Sequence, residues 1–455
     1  MKNIHVLAAT GMLGTGFSEA SFDRALKNNP SVIGCDAGST DPGPHYLGHG
    51  TPMVSREATK RDLTIMIKGA LKNNIPLLIG SAGTAGSNVH VDWTVDIVKE
   101  IAKEENLSFS LAAIYSEISQ PKLINAFRKG KIKPLNNAHD LSEESILHLS
   151  KVVGQMGPEP YINALNQGAQ VVVAGRSSDT SIFAAVPIKE GINHGIALHA
   201  SKILECGAGC AETRIHPDCM SAWMYDDHFI VEPPNPKMKC TPVSVLSHLL
   251  YENYDPYHLY EPGGMLNTSD AHYESFNERG VKVTNSEFEP VSMYTVRLEG
   301  VEHIGYRRIA IAGIRDPFIL RQLPNFLEEC KNVISKKVKE SLNIEKENFK
   351  ILFRIYGDSG VMGELEPFQG KMNHEVGLLT EVIADSAVNS QSIMSIAWHT
   401  MLHHPIKEWS GLVSQLAFPF SPPDSDMGPV YRFGLNHIME VEDPLELFEM
   451  NISRL

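Results

Sequence analysis

Asp36, Asp41 and His45 fall within ten residues, in Asp36-Ala-Gly-Ser39-Thr40-Asp41-Pro-Gly-Pro-His45. Carboxylates held close together split their pKa values and serve as acid and base, or they share a cation. The prolines and glycines around them fix a loop, so the set is a candidate for proton transfer, with Ser39 and Thr40 as substrate contacts. The structural alternative is that both aspartates cap neighbouring turns.

Three further clusters are similar in kind. Gly80-Ser81-Ala-Gly83-Thr-Ala-Gly86 lies between an apolar run and a helical pattern. Its glycines permit close backbone approach, and the first turn of the following helix offers free N–H groups to a carboxylate or phosphate. Gly175-Arg176-Ser-Ser-Asp179 supplies a guanidinium fork suited to a carboxylate, while Asp179 is either a substrate contact or a helix N-cap. His199 shares a helix face with Lys202 and Cys206, as a substrate contact or a packed core histidine. His216 and Asp218 could move protons, could join Asp36 and Asp41 as ligands of a divalent metal, or could equally form a turn with a packed cysteine. Cys206-x3-Cys210 with Cys219 is a weak zinc pattern, without a second matching pair. His399 and His403 lack the glutamate of a zincin helix. Gly11-x-x-Gly14-x-Gly16 reverses the dinucleotide fingerprint and no Walker sequence is present, so no nucleotide or flavin motif is read.

These loops follow the apolar runs Ile4–Ala9, Val32–Cys35, Ile75–Ile79 and Gln170–Ala174, which alternate with helical patterns such as 19–28, 59–73 and 90–104. Such alternation predicts an α/β fold with a mainly parallel, Rossmann-like sheet, whose ligand crevice lies at the carboxyl ends of the strands. Helices are also predicted near 120–129, 142–153 and 158–167. Beyond 290 the order becomes β-α-β-β-α-β, with strands at 306–314, 349–356, 376–384 and 430–440. That is the order of a smaller α+β, ferredoxin-like domain. The expected domains are 1–290, carrying the crevice, and 291–455. The segments 233–242 and 251–264 read as loops covering the site.

The 455 residues exceed one ordinary core, and a net charge of −14 without a basic stripe argues against nucleic acid. No window is long and apolar enough to span a bilayer, and MKNIHVLAAT lacks a signal-peptide pattern, so the expectation is a cytoplasmic protein with six reduced cysteines.

The succession DAGSTDPGPHYLG (36–48), GSAGTAG (80–86), GRSSD (175–179), LHASKILECGA (198–208), DCM (218–220) and YTVRLEGVEHIGYRRIAIAGIRDP resembles the acyclic terpene utilisation AtuA-like family over about the first 310 residues. The SGDKGD-like start of the longer members' final domain is absent. The resemblance implies a bacterial catabolic protein with an α/β domain followed by a ferredoxin-like one. It also implies a pathway of citronellol- and geraniol-type acids carried as CoA thioesters. It supplies no established catalytic residues.

The expected function is hydro-lyase (hydratase) or isomerase chemistry on a small carboxylate or its CoA thioester. Asp36, Asp41, His45 and His216 would be catalytic. Ser39, Thr40, Gly80, Ser81, Gly83, Gly86, Arg176, Asp179 and His199 would bind the substrate. The alternatives are a metal-dependent hydrolase or lyase, and a non-catalytic binding subunit completed by a small partner protein. A homo-oligomer is expected, and any cofactor would be a divalent metal.

Overall fold

Five short apolar runs form buried strands: β1 (Ile4–Ala8), β2 (Val32–Asp36), β3 (Leu77–Gly80), β4 (Ser110–Tyr115) and β5 (Val171–Ala174). Nearly every residue in them is buried, as in strands covered on both faces. In this computed structural model, which describes residues 3–135, 138–213, 217–368, 373–407 and 414–455, they adjoin in the order β1-β2-β3-β5-β4 with every pair parallel.

Antiparallel strands extend this centre on both sides. Met220–Met224 pairs with β1 and is followed outward by His228–Glu232, Val281–Thr284 and His272–Ser275. Glu449–Arg454 pairs with β4. The ten-stranded sheet is therefore mixed, which corrects the expectation of a mainly parallel one. The cause is local: three residues join Met220–Met224 to His228–Glu232, and so short a connection permits only antiparallel pairing.

Alternate residues of each strand feed two cores. Val171 and Val173 pack with Ile67, Ile97 and Val98, whereas Val172 and Ala174 pack with Tyr161, Phe183 and Ala197. The covering helices include Glu19–Leu26, Arg56–Asn73, Asn88–Glu104, Asp179–Lys189 and His194–Leu204. Ser18 caps the first by accepting from the Ser21 N–H.

Two local expectations are corrected. The helix expected over 142–153 stops at His148, and Leu149–Gln155 is a strand paired with Arg297–Glu302. Its Val152-Val153 pair favours extended backbone once tertiary pairing is on offer. The separate strands expected at 294–298 and 306–314 are one, Tyr294–Ile314.

The chain forms two compact units, residues 1–302 with 433–455, and residues 303–432. Within the second, strands Phe349–Tyr356 and Val376–Ala384 and the 306–314 half of Tyr294–Ile314 pair antiparallel. Helices Leu323–Leu342 and Ala387–His403 contribute Phe326, Ile334, Ile393 and Met394 to its core. Among the described residues no helix is long and apolar enough to cross a membrane.

Candidate functional site

The loops leaving β1, β2, β3 and β5 interlock at the carboxyl ends of these strands. Leu13 N–H donates to Asp36 O at 2.8 Å, Ala37 N–H to Gly80 O at 3.0 Å and Ser81 N–H to Gly175 O at 2.9 Å. Two glycines make this approach possible. A Cβ on Gly86, at φ +67°, would collide with the backbone nitrogen of Arg176, and one on Gly38 would stand 2.7 Å from Thr84 Cα. The 10–16 loop is held from beneath by buried Asp62, whose Oδ2 accepts from Gly14 N–H and Gly16 N–H at 3.0 Å each.

Arg176 is the buried centre of the assembly, 3% exposed. Its Nε donates to Glu299 at 2.9 Å, and its Nη1 donates to Ser177 O, to Ser81 Oγ at 3.1 Å and to Asp179 at 3.1 Å. Burial opposes its charge, but Glu299 and Asp179 more than offset this and hold the guanidinium firmly protonated. Burial alone would raise Glu299; Arg176, Arg297 and the Thr40 hydroxyl reverse it and leave that carboxyl below its usual range. Arg176 is thus a latch joining the 80–87 and 175–179 loops to the strand Tyr294–Ile314, with its charge already matched.

Asp36, at the end of β2, is 8% exposed, and among the described residues its Oδ1 has no hydrogen-bond partner. Burial pushes its carboxyl well above the usual range and Asp179 adds to this, against Arg176 and the Gly38 N–H. On helix His194–Leu204 and its cap, Lys202 and Glu205 form a buried ion pair. Burial raises Glu205 to about 8 in spite of Lys202, with Asp179 contributing. Glu261 accepts from Ser178 Oγ and from Thr180 Oγ1 at 2.8 Å, and burial raises it too. The electrostatically coupled group therefore holds five carboxyls (Asp36, Asp179, Glu205, Glu261, Glu299) and two cations (Arg176, Lys202).

Glu261 also lines a cavity of about 640 Å³ with Gln155, Tyr254, Tyr260, Arg297 and Phe433. That size accommodates a small organic ligand.

Of the residues singled out in the sequence, Asp36, Thr40, Gly80, Ser81, Gly86, Arg176 and Asp179 come together. Gly83 packs on His90. Ser39 and exposed Asp41 bond each other at 2.8 Å on the outer part of their loop. His45 stacks on His49 with ring centroids 5.2 Å apart. His199 is fully buried with both ring nitrogens engaged, by Ser286 Oγ at 2.7 Å and Tyr273 at 3.0 Å, and burial lowers it to about 3. Its environment is that of a core histidine. Asp218 is spent on Ser21, Asn235 and the Cys219 N–H, each at 2.9 Å. His216 lies outside the described residues. The first turn expected to grip an anion is already filled: Ser87 and His90 form a capping box, and Glu117 accepts from Asn88 N–H at 3.0 Å. Cys210 lies 3.9 Å from Cys240, and among the described residues Cys206, Cys210 and Cys219 do not gather into one ligand group, so the cysteine-only zinc pattern has no structural counterpart there.

Sequence reasoning missed Glu299, Glu261, Glu205 and His248. Two signals were available: a charged pair, Lys202 and Glu205, closing a helix that is otherwise buried throughout, and a glutamate on the inward face of an apolar strand.

No curated protein and no solved structure is significantly similar to the chain. Residues 56–216 match the family described as Acyclic terpene utilisation family protein AtuA, so the resemblance carried by GSAGTAG, GRSSD and LHASKILECGA holds over that segment of the chain.

Proposed function

We propose that the first unit is a proton-transfer enzyme, of hydro-lyase or isomerase type, acting on the thioester of a small branched acid within acyclic terpene utilisation. The observation that carries this reading is Asp36: a buried carboxyl with an unpartnered oxygen, raised pKa and a place at the carboxyl end of the parallel sheet. A raised pKa makes a carboxylate a stronger base when ionised and a proton donor afterwards. Asp36 takes the proton α to the thioester carbonyl, and the C–H electron pair moves into the enolate. In elimination that pair forms the C=C bond as the β-hydroxyl departs, receives the proton back from Asp36 and leaves as water. In isomerisation the proton returns to carbon instead. The charge balance of the site favours a neutral thioester over a free acid at the reacting end. The aromatic cavity bounded by Glu261 gives the remainder of the substrate a place.

The test is deuterium incorporation at the α-carbon of branched acyl-CoA thioesters in heavy water, with the free acids run in parallel. Wild type should exchange the thioester, and Asp36→Asn should lose at least about 100-fold while keeping its melting temperature. Exchange at the wild-type rate in Asp36→Asn, or exchange confined to free acids, would overturn the reading.

A further inference from the structure

Beside the crevice, three side chains of different chemistry converge. Glu205 caps helix His194–Leu204, Cys206 follows it, and His248 stands in the last turn of helix Pro242–Leu249. One ligand atom from each lies within 4.8 Å of the other two. Tetrahedral zinc, with ligands at about 2.0–2.3 Å, spaces its donors roughly 3.3–3.8 Å apart. The observed spacing exceeds that of a zinc site by at most about 1.5 Å. We propose that Glu205, Cys206 and His248 bind one zinc ion, with the fourth position open towards the Asp36 crevice.

Several features support this assignment. The donor set of one nitrogen, one sulfur and one oxygen suits zinc, and the thiolate disfavours magnesium and calcium. Three protein ligands with one free position is the composition of a catalytic rather than a structural zinc site. Gly209 keeps the approach clear: a Cβ there would stand 2.9 Å from Cys206 Cβ and 3.2 Å from His248 Cε1. The His248 ring is set by stacking on Tyr251, with centroids 6.1 Å apart. Lys202 bonds Oε1 of Glu205, and the carboxylate has a second oxygen for an ion. The backbone at Cys206 packs against the loop leaving β1, since a Cβ on Gly11 would stand 2.7 Å from Cys206 O, so the three donors lie beside the crevice loops.

The inference deepens the proton-transfer reading by giving the departing hydroxyl a Lewis acid, but its test reads metal binding alone. Metal-stripped protein is titrated with cobalt(II), then with zinc(II) in competition. The expected result is one cobalt per chain, with tetrahedral d–d absorption and a thiolate-to-cobalt charge-transfer band, both displaced by one equivalent of zinc. Cys206→Ser should abolish the charge-transfer band, and His248→Gln should weaken cobalt binding at least tenfold. Cys210→Ser, altering the cysteine beside Cys240, should leave the spectrum unchanged. Absence of stoichiometric cobalt binding by folded wild type, or a charge-transfer band surviving in Cys206→Ser, would overturn the site. Should Cys206→Ser fail to fold, the wild-type titration with His248→Gln decides, and unchanged affinity in that variant overturns the assignment. Failure of α-proton exchange beside a normal cobalt spectrum would defeat the function reading and leave the metal site standing.

Discussion

Replacing Arg176 by methionine separates a structural latch from a substrate grip. Methionine keeps much of the apolar stem and removes the ion pairs with Glu299 at 2.9 Å and Asp179 at 3.1 Å. Both the arginine and Glu299 have side chains at most 5% exposed, so solvent cannot replace what is lost. Breaking a buried pair from one side costs about 3–5 kcal/mol, because the partner is left charged and dry. Removing both ends costs much less, so Arg176→Met/Glu299→Gln should recover about 2–3 kcal/mol of the loss. The penalty should also depend on pH. In wild type the Glu299 carboxyl is held below its usual range, so the pair's contribution is complete above the ordinary glutamate pKa of about 4.3 and fades only as pH falls through the lower folded value. Without Arg176 the same burial raises Glu299, and the variant's deficit should shrink on moving from pH 8 to pH 5.5. Urea unfolding of the four proteins at both pH values measures this, with equal slopes as the condition for comparing midpoints. A single variant within about 1 kcal/mol of wild type, or a double variant costing the sum of the singles, would refute the latch.

Other outcomes follow from neighbouring groups. His199 is lowered to about 3 by burial, so its folded pKa lies below the unfolded one. Its stabilisation is whole above about pH 6.5 and declines below it, by about 2 kcal/mol at pH 5; His199→Gln should flatten this part of a stability–pH profile. Asp62→Ala removes the acceptor of the Gly14 and Gly16 N–H groups. It should cost about 1.5–3 kcal/mol and speed hydrogen exchange at both amides. Gly86→Ala puts a Cβ against the Arg176 backbone at φ +67°, where no side-chain rotation gives relief. At least about 2 kcal/mol should be lost in thermal unfolding, the left-handed conformation supplying roughly 1–2 of it.

The parts of the fold that were legible in the sequence are those with local causes. β1, β2, β3 and β5 are continuous apolar runs with glycine-rich exits, and periodic helices follow them. The place of the outer strands was not legible: the hairpin Met220–Met224/His228–Glu232 is local, but it joins the sheet through Ile4–Ala8, as Glu449–Arg454 does through Ser110–Tyr115, each more than 200 residues away. Leu149–Gln155 follows a capped helix with no intervening proline or glycine, and only its pairing with Arg297–Glu302 decides it. The site divides in the same way. Asp36 and Arg176 sit in motifs whose residue types stand out. Glu299, 123 positions from Arg176, gives no short-range sign of the pair it makes.

That missing pair changes the chemistry assigned to the arginine. With Arg176 exposed and unmatched, the crevice would be an anion site, and a free carboxylate would be its natural ligand. Once Glu299 and Asp179 are counted, the guanidinium has no spare charge, and the helix N-terminus at Asn88 is occupied by Glu117. A free carboxylate would enter a buried region where Asp36, Glu205 and Glu261 are already driven towards protonation and Arg176 is already paired, so a further anion finds no unmatched cation and is costly where solvent screening is weak. A thioester avoids this cost because its reacting carbonyl is neutral. A bound divalent ion changes the balance again, since two added charges allow one anionic oxygen to approach. Under the proposed function and metal site, thioester preference without metal and tolerance of a free acid only with metal is the expected outcome of the exchange assay.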